Sequence, residues 1–205
     1  MPDVMWASIL SDYDIAIFST AYWYFRPSIY YMDNKILGAN DISRLNLTKV
    51  RILPRIKRVW ETVLNHILDN YDGIAILRTV TVPHFEDGRW DDGGVCNRTK
   101  PESDPHFQMT LPWTSNEMYT SQKEEFAKAL EWKHQRKPTV LRLKLMDVTY
   151  SSLLRPDGHP GHYRVQNPNE PRNDCLHWCL PGPIDMWNQL LMETIKPHLH
   201  EPSRL

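Results

Sequence analysis

The 205 residues are enough for one domain or for part of a larger one, and 41% of them are apolar, which excludes wholesale disorder. The net charge of −1 gives no bias toward nucleic acid or an anionic membrane, so we expect no nucleic-acid partner. The sequence has no run of about 18 apolar residues, which predicts no transmembrane segment, and its start has no signal-peptide pattern.

Strand-like and helix-like segments alternate along the chain. Short apolar runs predict strands at residues 14–19, 73–80 and 139–148. Apolar residues at helical spacing, with a capping-box pattern at Ser121 and a proline at Pro183, predict helices at residues 47–69, 121–133 and 183–195. Residues 83–113 and 150–173 are predicted to be loops. This alternation is typical of an α/β fold with a parallel sheet and right-handed crossovers.

In such sheets the functional groups gather at the carboxyl ends of the strands, so the long loops are the places to search. One of them ends in Asp174-x-x-His177. A carboxylate and an imidazole at this spacing can lie on one turn, where the carboxylate fixes the ring tautomer and the other nitrogen acts as a base toward a hydroxyl. A structural hydrogen bond is the alternative explanation of the same pair.

Longer motifs extend this observation over most of the chain. They are RPDGHP at 155–160, NDCLHWCLPGPIDMWN at 173–188, LRT at 77–79, PHF at 83–85, GRW at 88–90, GGVCNRT at 93–99, and WYFRP at 23–27 with the tyrosine pair at 30–31. Together they resemble the C-terminal motif block of the plant trichome birefringence-like (PC-esterase) family, and the 23–27 segment is similar to the branch that acetylates xyloglucan.

This resemblance implies a three-layer α/β/α fold related to the SGNH/GDSL esterases, with residues 1–205 forming the C-terminal part of one domain. It also implies a Golgi membrane location and transfer of acetyl groups to cell-wall polysaccharide. The matching catalytic positions are Asp174 and His177, which would act with a serine by double displacement. An acetyl donor would be the co-substrate, and no bound cofactor is expected.

The same resemblance suggests residues that contact the polysaccharide. The motif positions concerned are Trp23, Arg26, Arg78 and His84. Hydrogen bonds that brace loops are an equally good explanation for them. His159 is interpreted as a residue that stabilises a turn.

Two differences from the family pattern bear on activity. The Gly-Asp-Ser motif that supplies the serine does not occur in this chain, so we expect the first strand and the nucleophile segment to be missing. A non-catalytic remnant that binds glycan or a partner therefore remains open, as does a deacetylase that uses water as acceptor. Ala21 stands where the family has a glycine, which predicts a less accessible backbone conformation.

Residues 37–41 resemble an oxyanion block but are expected to lie in a loop, so we interpret the match as coincidence.

The three cysteines cannot all pair with one another. The resemblance implies that Cys96 bridges to Cys175 or to Cys179, and we favour Cys175. A zinc site at Cys175, His177 and Cys179 has no plausible fourth ligand, so we expect no metal. The triplets at Asn46 and Asn97 are glycosylation acceptors if the chain is lumenal.

Overall fold

The computed structural model describes residues 2–32, 34–40, 42, 45–135, 142–164 and 173–199. Within them the chain divides into two compact units. The first unit comprises Met1–Val80 and Trp113–Leu145, and the second comprises Thr81–Pro112 and Met146–Leu205.

A parallel sheet is the centre of the first unit. The strands in chain order are β1 (Ile15–Phe18), β2 (Ser28–Met32), β3 (Lys35–Asn40), β4 (Ile74–Arg78) and β5 (Arg142–Met146). Strands β1, β4 and β5 form one sheet in that order, and β1 runs parallel to β4 with Ile15 opposite Ile74. Strands β2 and β3 form a separate antiparallel hairpin. The four apolar residues of β4 are all buried, as expected for a central parallel strand.

Helices complete the architecture. They are α1 (Val4–Ile9), α2 (Leu53–Asn70), α3 (Trp113–Gln135), α4 (Thr149–Leu153) and α5 (Pro183–Ile195). Both crossovers of the first unit move in the same direction across the sheet, from β1 to β4 to β5, so right-handed connections place α2 and α3 on one face. These two helices pack against each other. None of the helices in the described part of the chain is long and apolar enough to cross a membrane.

The sequence of α2 explains why it forms and what it buries. Pro54 lies in the first turn, where its missing N–H costs no helical hydrogen bond. Ile56, Trp60 and Leu64 recur every four residues, and all three are almost completely buried in the core of the unit. On the outside, Lys57 donates to Glu124 of α3 over 2.5 Å.

The predicted α/β class with a parallel sheet is confirmed, and the differences lie mainly at element ends. The helix predicted from residue 47 begins at Leu53, because the preceding residues pair with β3. The Ala39 N–H donates to the carbonyl of Thr48, and the Val50 N–H donates to the carbonyl of Ala39, both over 2.9 Å. The helix predicted from Ser121 begins at Trp113, just after Pro112, so the capping-box pattern lies inside it. Residues 139–141 of the third predicted strand lie outside the described residues.

Two predicted loops are partly regular. Residues 35–40 form β3, so the expectation of a loop there was wrong, although Asp41 lies outside the described residues. The side chain of Asn40 donates to the carbonyls of Tyr24 and Arg26, which fixes the turn before the hairpin. The loop predicted at 150–173 begins with α4 and contains a short 3₁₀ turn at Pro156–Gly158, and its residues 165–172 lie outside the described residues.

The second unit has a small core of its own. Val82, Val148, Leu153, Cys175 and Trp187 are buried there. Helix α5 begins as predicted at Pro183, and the Asp185 carboxylate accepts a hydrogen bond from the Gly182 N–H over 2.7 Å.

Candidate active site

The backbone around Asp174 is fixed on both sides. Asp174 and Gly161 form an antiparallel bridge in which each N–H donates to the other residue's carbonyl, over 3.0 and 3.1 Å. Gly161 has φ +54°, a conformation that favours glycine. The next residue, Cys175, is fully buried and forms a disulfide with Cys96. The expected disulfide is therefore present, and it joins the loop at 93–99 to the loop that carries the candidate acid and base.

Asp174 and His177 form the pair that their spacing predicts. The ring nitrogen Nδ1 of His177 lies 2.9 Å from Oδ2 and 3.0 Å from Oδ1 of Asp174. The backbone N–H of His177 also donates to Oδ1 over 2.9 Å, and the N–H of Leu176 donates to the same oxygen over 3.3 Å. One carboxylate thus orients both the ring and the turn, and Nδ1 is placed to donate its proton to Asp174.

The electrostatics keep Asp174 ionised. Burial by itself raises the pKa of the Asp174 carboxyl, but the hydrogen bonds from the backbone and the ring of His177 outweigh it, so the pKa is lowered overall. The Asp174 side chain is 15% exposed, whereas that of His177 is 55% exposed. Across the described residues, no hydrogen bond engages Nε2 of His177. This nitrogen is therefore available as a base.

Two further histidines lie behind this loop. His84 Nδ1 is 2.7 Å from His159 Nε2, and His159 Nδ1 is 2.7 Å from the backbone carbonyl of His177. His84 Nε2 is 3.0 Å from the carbonyl of Leu153, and the backbone N–H of His84 donates to the carbonyl of Cys175. Both ring nitrogens of His84 are therefore engaged inside the second unit, which fits the bracing alternative, and a glycan contact by His84 stays a prediction.

Trp178 also belongs to this site, although no sequence pattern singles it out. Its ring lies 4.1 Å from the ring of His159, and its indole N–H donates to the hydroxyl of Thr81 over 3.2 Å. Gly158 has no room for a side chain, because a Cβ there would lie 2.4 Å from the ring of Pro183 and 3.0 Å from Trp178. A tryptophan that follows a candidate base in the sequence is a weak signal of a site residue. Only the packing in the structure identifies Trp178 as part of the site.

The remaining predicted glycan residues belong to the first unit. Arg78, at the end of β4, donates to the hydroxyl of Ser19 through Nε over 2.9 Å and Nη2 over 2.6 Å. Burial lowers the pKa of Arg78. Trp23 is 74% exposed, and the Arg26 guanidinium lies 5.7 Å from the centre of its ring. Arg78 has a bracing contact, and Trp23 is accessible to a ligand.

Ala21 has φ −161°, outside the left-handed range, and ψ −101°, outside the usual extended range. The expectation of a less accessible backbone conformation at this position stays a prediction. Cys175 is in the disulfide and cannot serve as a thiolate ligand. The part of the chain that the structure describes contains no cluster of three or more residues suited to hold a metal ion.

Comparison with known proteins adds the wider context. The family model described as the GDSL/SGNH-like acyl-esterase family found in Pmr5 and Cas1p (PC-Esterase) matches residues 1–194. The chain is similar to trichome birefringence-like protein 25 of Arabidopsis thaliana, with 35% identity over 94% of this chain and 44% of the relative. It is also similar to xyloglucan O-acetyltransferase 2 of the same plant, with 36% identity over 95% of this chain and 46% of the relative. Xyloglucan O-acetyltransferase 3 of Populus trichocarpa is similar too, with 35% identity over 96% of this chain and 49% of the relative. The chain thus spans less than half the length of each of these relatives.

Proposed function

The chain belongs to the PC-esterase family, and on that premise we propose that it supplies the base and the orienting acid of a polysaccharide O-acetyltransferase. The observation that carries the proposal is the pair of contacts, 2.9 and 3.0 Å, between His177 Nδ1 and the carboxylate of Asp174. The names of the similar xyloglucan O-acetyltransferases support the reaction class.

The proposed reaction has two acyl-transfer steps. A serine hydroxyl attacks the carbonyl carbon of the acetyl donor while Nε2 of His177 takes the hydroxyl proton, and the imidazolium then gives that proton to the departing donor group. A sugar hydroxyl next attacks the acetyl-serine. His177 takes its proton and returns it to the serine oxygen, so the enzyme is restored and one acetyl group has moved.

Asp174 acts throughout as a fixed negative charge. It accepts the Nδ1 proton of His177, which leaves Nε2 free as the base, and it stabilises the imidazolium that forms in each step. No Gly-Asp-Ser occurs in the 205 residues, so the proposal assigns the serine to a segment outside them.

Xyloglucan is the acceptor we propose. The exposed indole of Trp23 can stack on the apolar face of a sugar ring, and the neighbouring Arg26 can donate hydrogen bonds to its hydroxyls. Trp23 and Arg26 lie in the segment that resembles the xyloglucan-acetylating branch. Several of the similar proteins carry xyloglucan in their names.

A lumenal location in the secretory pathway, in the Golgi, is part of the proposal. The Cys96–Cys175 disulfide is a bond that persists in oxidising compartments and is rare in the cytosol. Asn46 and Asn97, the acceptors of the two glycosylation triplets, are both exposed.

The substrate assignment is tested by acetyl transfer in the full-length protein. De-acetylated oligosaccharides of xyloglucan and of xylan are offered with an acetyl donor, and products are read by mass spectrometry. We expect xyloglucan to gain 42 Da per acetyl group faster than xylan does, about tenfold or more on the scale of pocket discrimination. Equal rates would contradict the choice of xyloglucan. Release of acetate without a glycan product would replace the transferase by a deacetylase, and no turnover from folded protein would favour a binding role.

A further inference from the structure

The two histidines behind the His177 turn form a continuous chain of short contacts. It runs from the carbonyl of Leu153 through His84 and His159 to the carbonyl of His177, over 3.0, 2.7 and 2.7 Å. Both residues are partly buried, and both rings pack against the indole of Trp178. Neither ring has a place in the proposed acyl transfer.

The number of protons on the two rings limits how many of these three contacts can be hydrogen bonds at the same time. A carbonyl oxygen only accepts hydrogen bonds, so each end of the chain needs an N–H on the imidazole. The contact between the two rings needs a third proton, because two bare nitrogens 2.7 Å apart repel each other. Two neutral imidazoles carry two protons in total, whereas three complete hydrogen bonds need three.

We propose that His84 and His159 are positioning residues that fix the base His177 through its backbone carbonyl, with a proton shared along the pair. This role rests on the proposed function of His177 as base, whereas the protonation pattern stands on the geometry alone. His159 keeps its proton on Nδ1, toward His177, and His84 keeps its proton on Nδ1, toward His159. The third proton, when present, lies on His84 Nε2, toward Leu153.

The distances decide which contact loses its proton. The two contacts of 2.7 Å are the shortest and would be the most repulsive without a proton, whereas the contact with Leu153 is longer, at 3.0 Å. In the neutral pair, the hydrogen bond to the carbonyl of His177 is therefore kept, and the hydrogen bond to the carbonyl of Leu153 is lost. In the common alternative tautomer, with the proton on His159 Nε2, the bare Nδ1 would face the His177 carbonyl.

The charged groups around the pair set when the third proton binds. Burial is the main cause that lowers the pKa of both rings, to about 4 for His159. Arg98 also disfavours a charged His84, while Asp157, which is paired with Arg155, and Asp174 favour charge on the pair. The third proton therefore binds only in acid, and the two-proton arrangement is the working state near neutrality.

The consequence for the site is a turn held at both of its ends. Asp174 holds the ring and the N–H of His177, and His159 holds its carbonyl. The ring of Trp178, the next residue, packs against the ring of His159 at an angle of 36° between the ring planes, so a movement of His159 would shift the backbone that carries the base. Misplacement of a reacting group by about 1 Å can cost on the order of 100-fold in rate.

The protonation pattern is tested directly by ¹⁵N NMR of the histidine rings in the full-length protein between pH 4 and 8. We expect His159 Nδ1 to remain protonated at every pH. We expect His84 to hold its proton on Nδ1 near neutrality and to gain one on Nε2 only in acid. A neutral His159 with its proton on Nε2, or two rings that titrate independently, would overturn the proposal.

Matched substitutions test the positioning role. An asparagine amide can replace the Nδ1 donor of histidine, so His159→Asn keeps a donor for the His177 carbonyl while His159→Leu removes it. We expect His159→Leu to lower kcat by roughly 10- to 100-fold with little change in KM, and His159→Asn to recover most of that loss. Equal effects of the two variants, with equal melting temperatures, would overturn the positioning role.

A second pair of variants separates this inference from the proposed function. His177→Ala removes the base itself, and the exposed His162 of the same unit provides a control, His162→Ala. Full activity in His177→Ala would refute the proposed function. The NMR result for His84 and His159 would still decide the protonation pattern independently.

Discussion

At the level of single residues, the contacts of Asp174 show how a short motif becomes a site. The carboxylate accepts three hydrogen bonds from residues 176 and 177, two of them from backbone N–H groups. Such donors stabilise the ionised form, which is why the pKa falls although the group is mostly buried. The ionised form of Asp174 is therefore the one that faces the ring of His177.

The buried histidines lead to a prediction about acid stability. Because burial lowers the pKa of His84 and His159 in the folded protein, the unfolded chain binds more protons below the ordinary histidine pKa of 6.5. The contribution of the two rings to stability is thus fully present above pH 6.5 and is lost as the pH falls below it, toward the lowered pKa values of the folded pair. The slope is at most about 1.4 kcal/mol per pH unit for each ring.

Denaturant unfolding at several pH values checks this. The His84→Asn and His159→Asn double variant has no buried ring to protonate, so we expect a flatter profile between pH 6.5 and 4. His162→Ala, at an exposed position, is expected to leave the slope unchanged. An identical slope in the double variant would refute the assignment.

At the level of elements, one buried side chain joins the sheet of the first unit to a helix. Gln122 of α3 accepts a hydrogen bond from the Val80 N–H over 2.8 Å and donates to the carbonyl of Thr20 over 3.4 Å. The residue is 1% exposed, so its side-chain amide is shielded from water and is satisfied by hydrogen bonds to the backbone after β1 and β4.

Substitution of this glutamine measures that dependence. We expect Gln122→Leu to destabilise the protein by about 1–3 kcal/mol, because the buried hydrogen bond between the Val80 N–H and the Gln122 side chain is lost. The exposed Gln108 offers a matched control, and Gln108→Leu should change the free energy of unfolding by less than about 0.5 kcal/mol. Comparable losses in both variants would show that the buried hydrogen bond is not the cause.

The disulfide links two loops of the second unit. Cys96 and Cys175 are 79 residues apart, and closing a loop of this length stabilises by roughly 4–5 kcal/mol on chain-entropy grounds. We expect Cys96→Ser to lose most of that stability and also to loosen the Asp174 turn. Cys179 is free, so Cys179→Ser is the control and should leave the melting temperature nearly unchanged. A Cys96→Ser protein as stable as the parent would contradict this.

The sequence predicted the elements better than their ends. Strands β1 and β4 and helix α5 were recognisable from apolar runs and from Pro183, because their burial depends on local pattern. The start of α2 was not, because residues 49 and 50 pair with β3, a partner that no local pattern reveals. The series of contacts that joins Leu153, His84, His159 and His177 could not be predicted for the same reason. His84 and His159 are 75 residues apart in the sequence and meet only in the fold.

At the level of the whole molecule, the family match covers residues 1–194, which include all of the first unit and most of the second. The acid and base lie in the second unit, and the exposed Trp23 with Arg26 lies in the first. The chain spans less than half the length of the relatives described above. The acetyl transfer that we propose is therefore an activity of the whole protein.

The most direct test of the central claim is the rate of acetyl transfer in His177→Ala compared with His162→Ala, both in the full-length protein with xyloglucan oligosaccharides as acceptors. We expect His177→Ala to lose at least roughly 1,000-fold in kcat, as removal of a triad base does, and His162→Ala to stay within about twofold of the parent. A His177→Ala protein that is folded and transfers acetyl at the parental rate would contradict the assignment of Asp174 and His177 as acid and base.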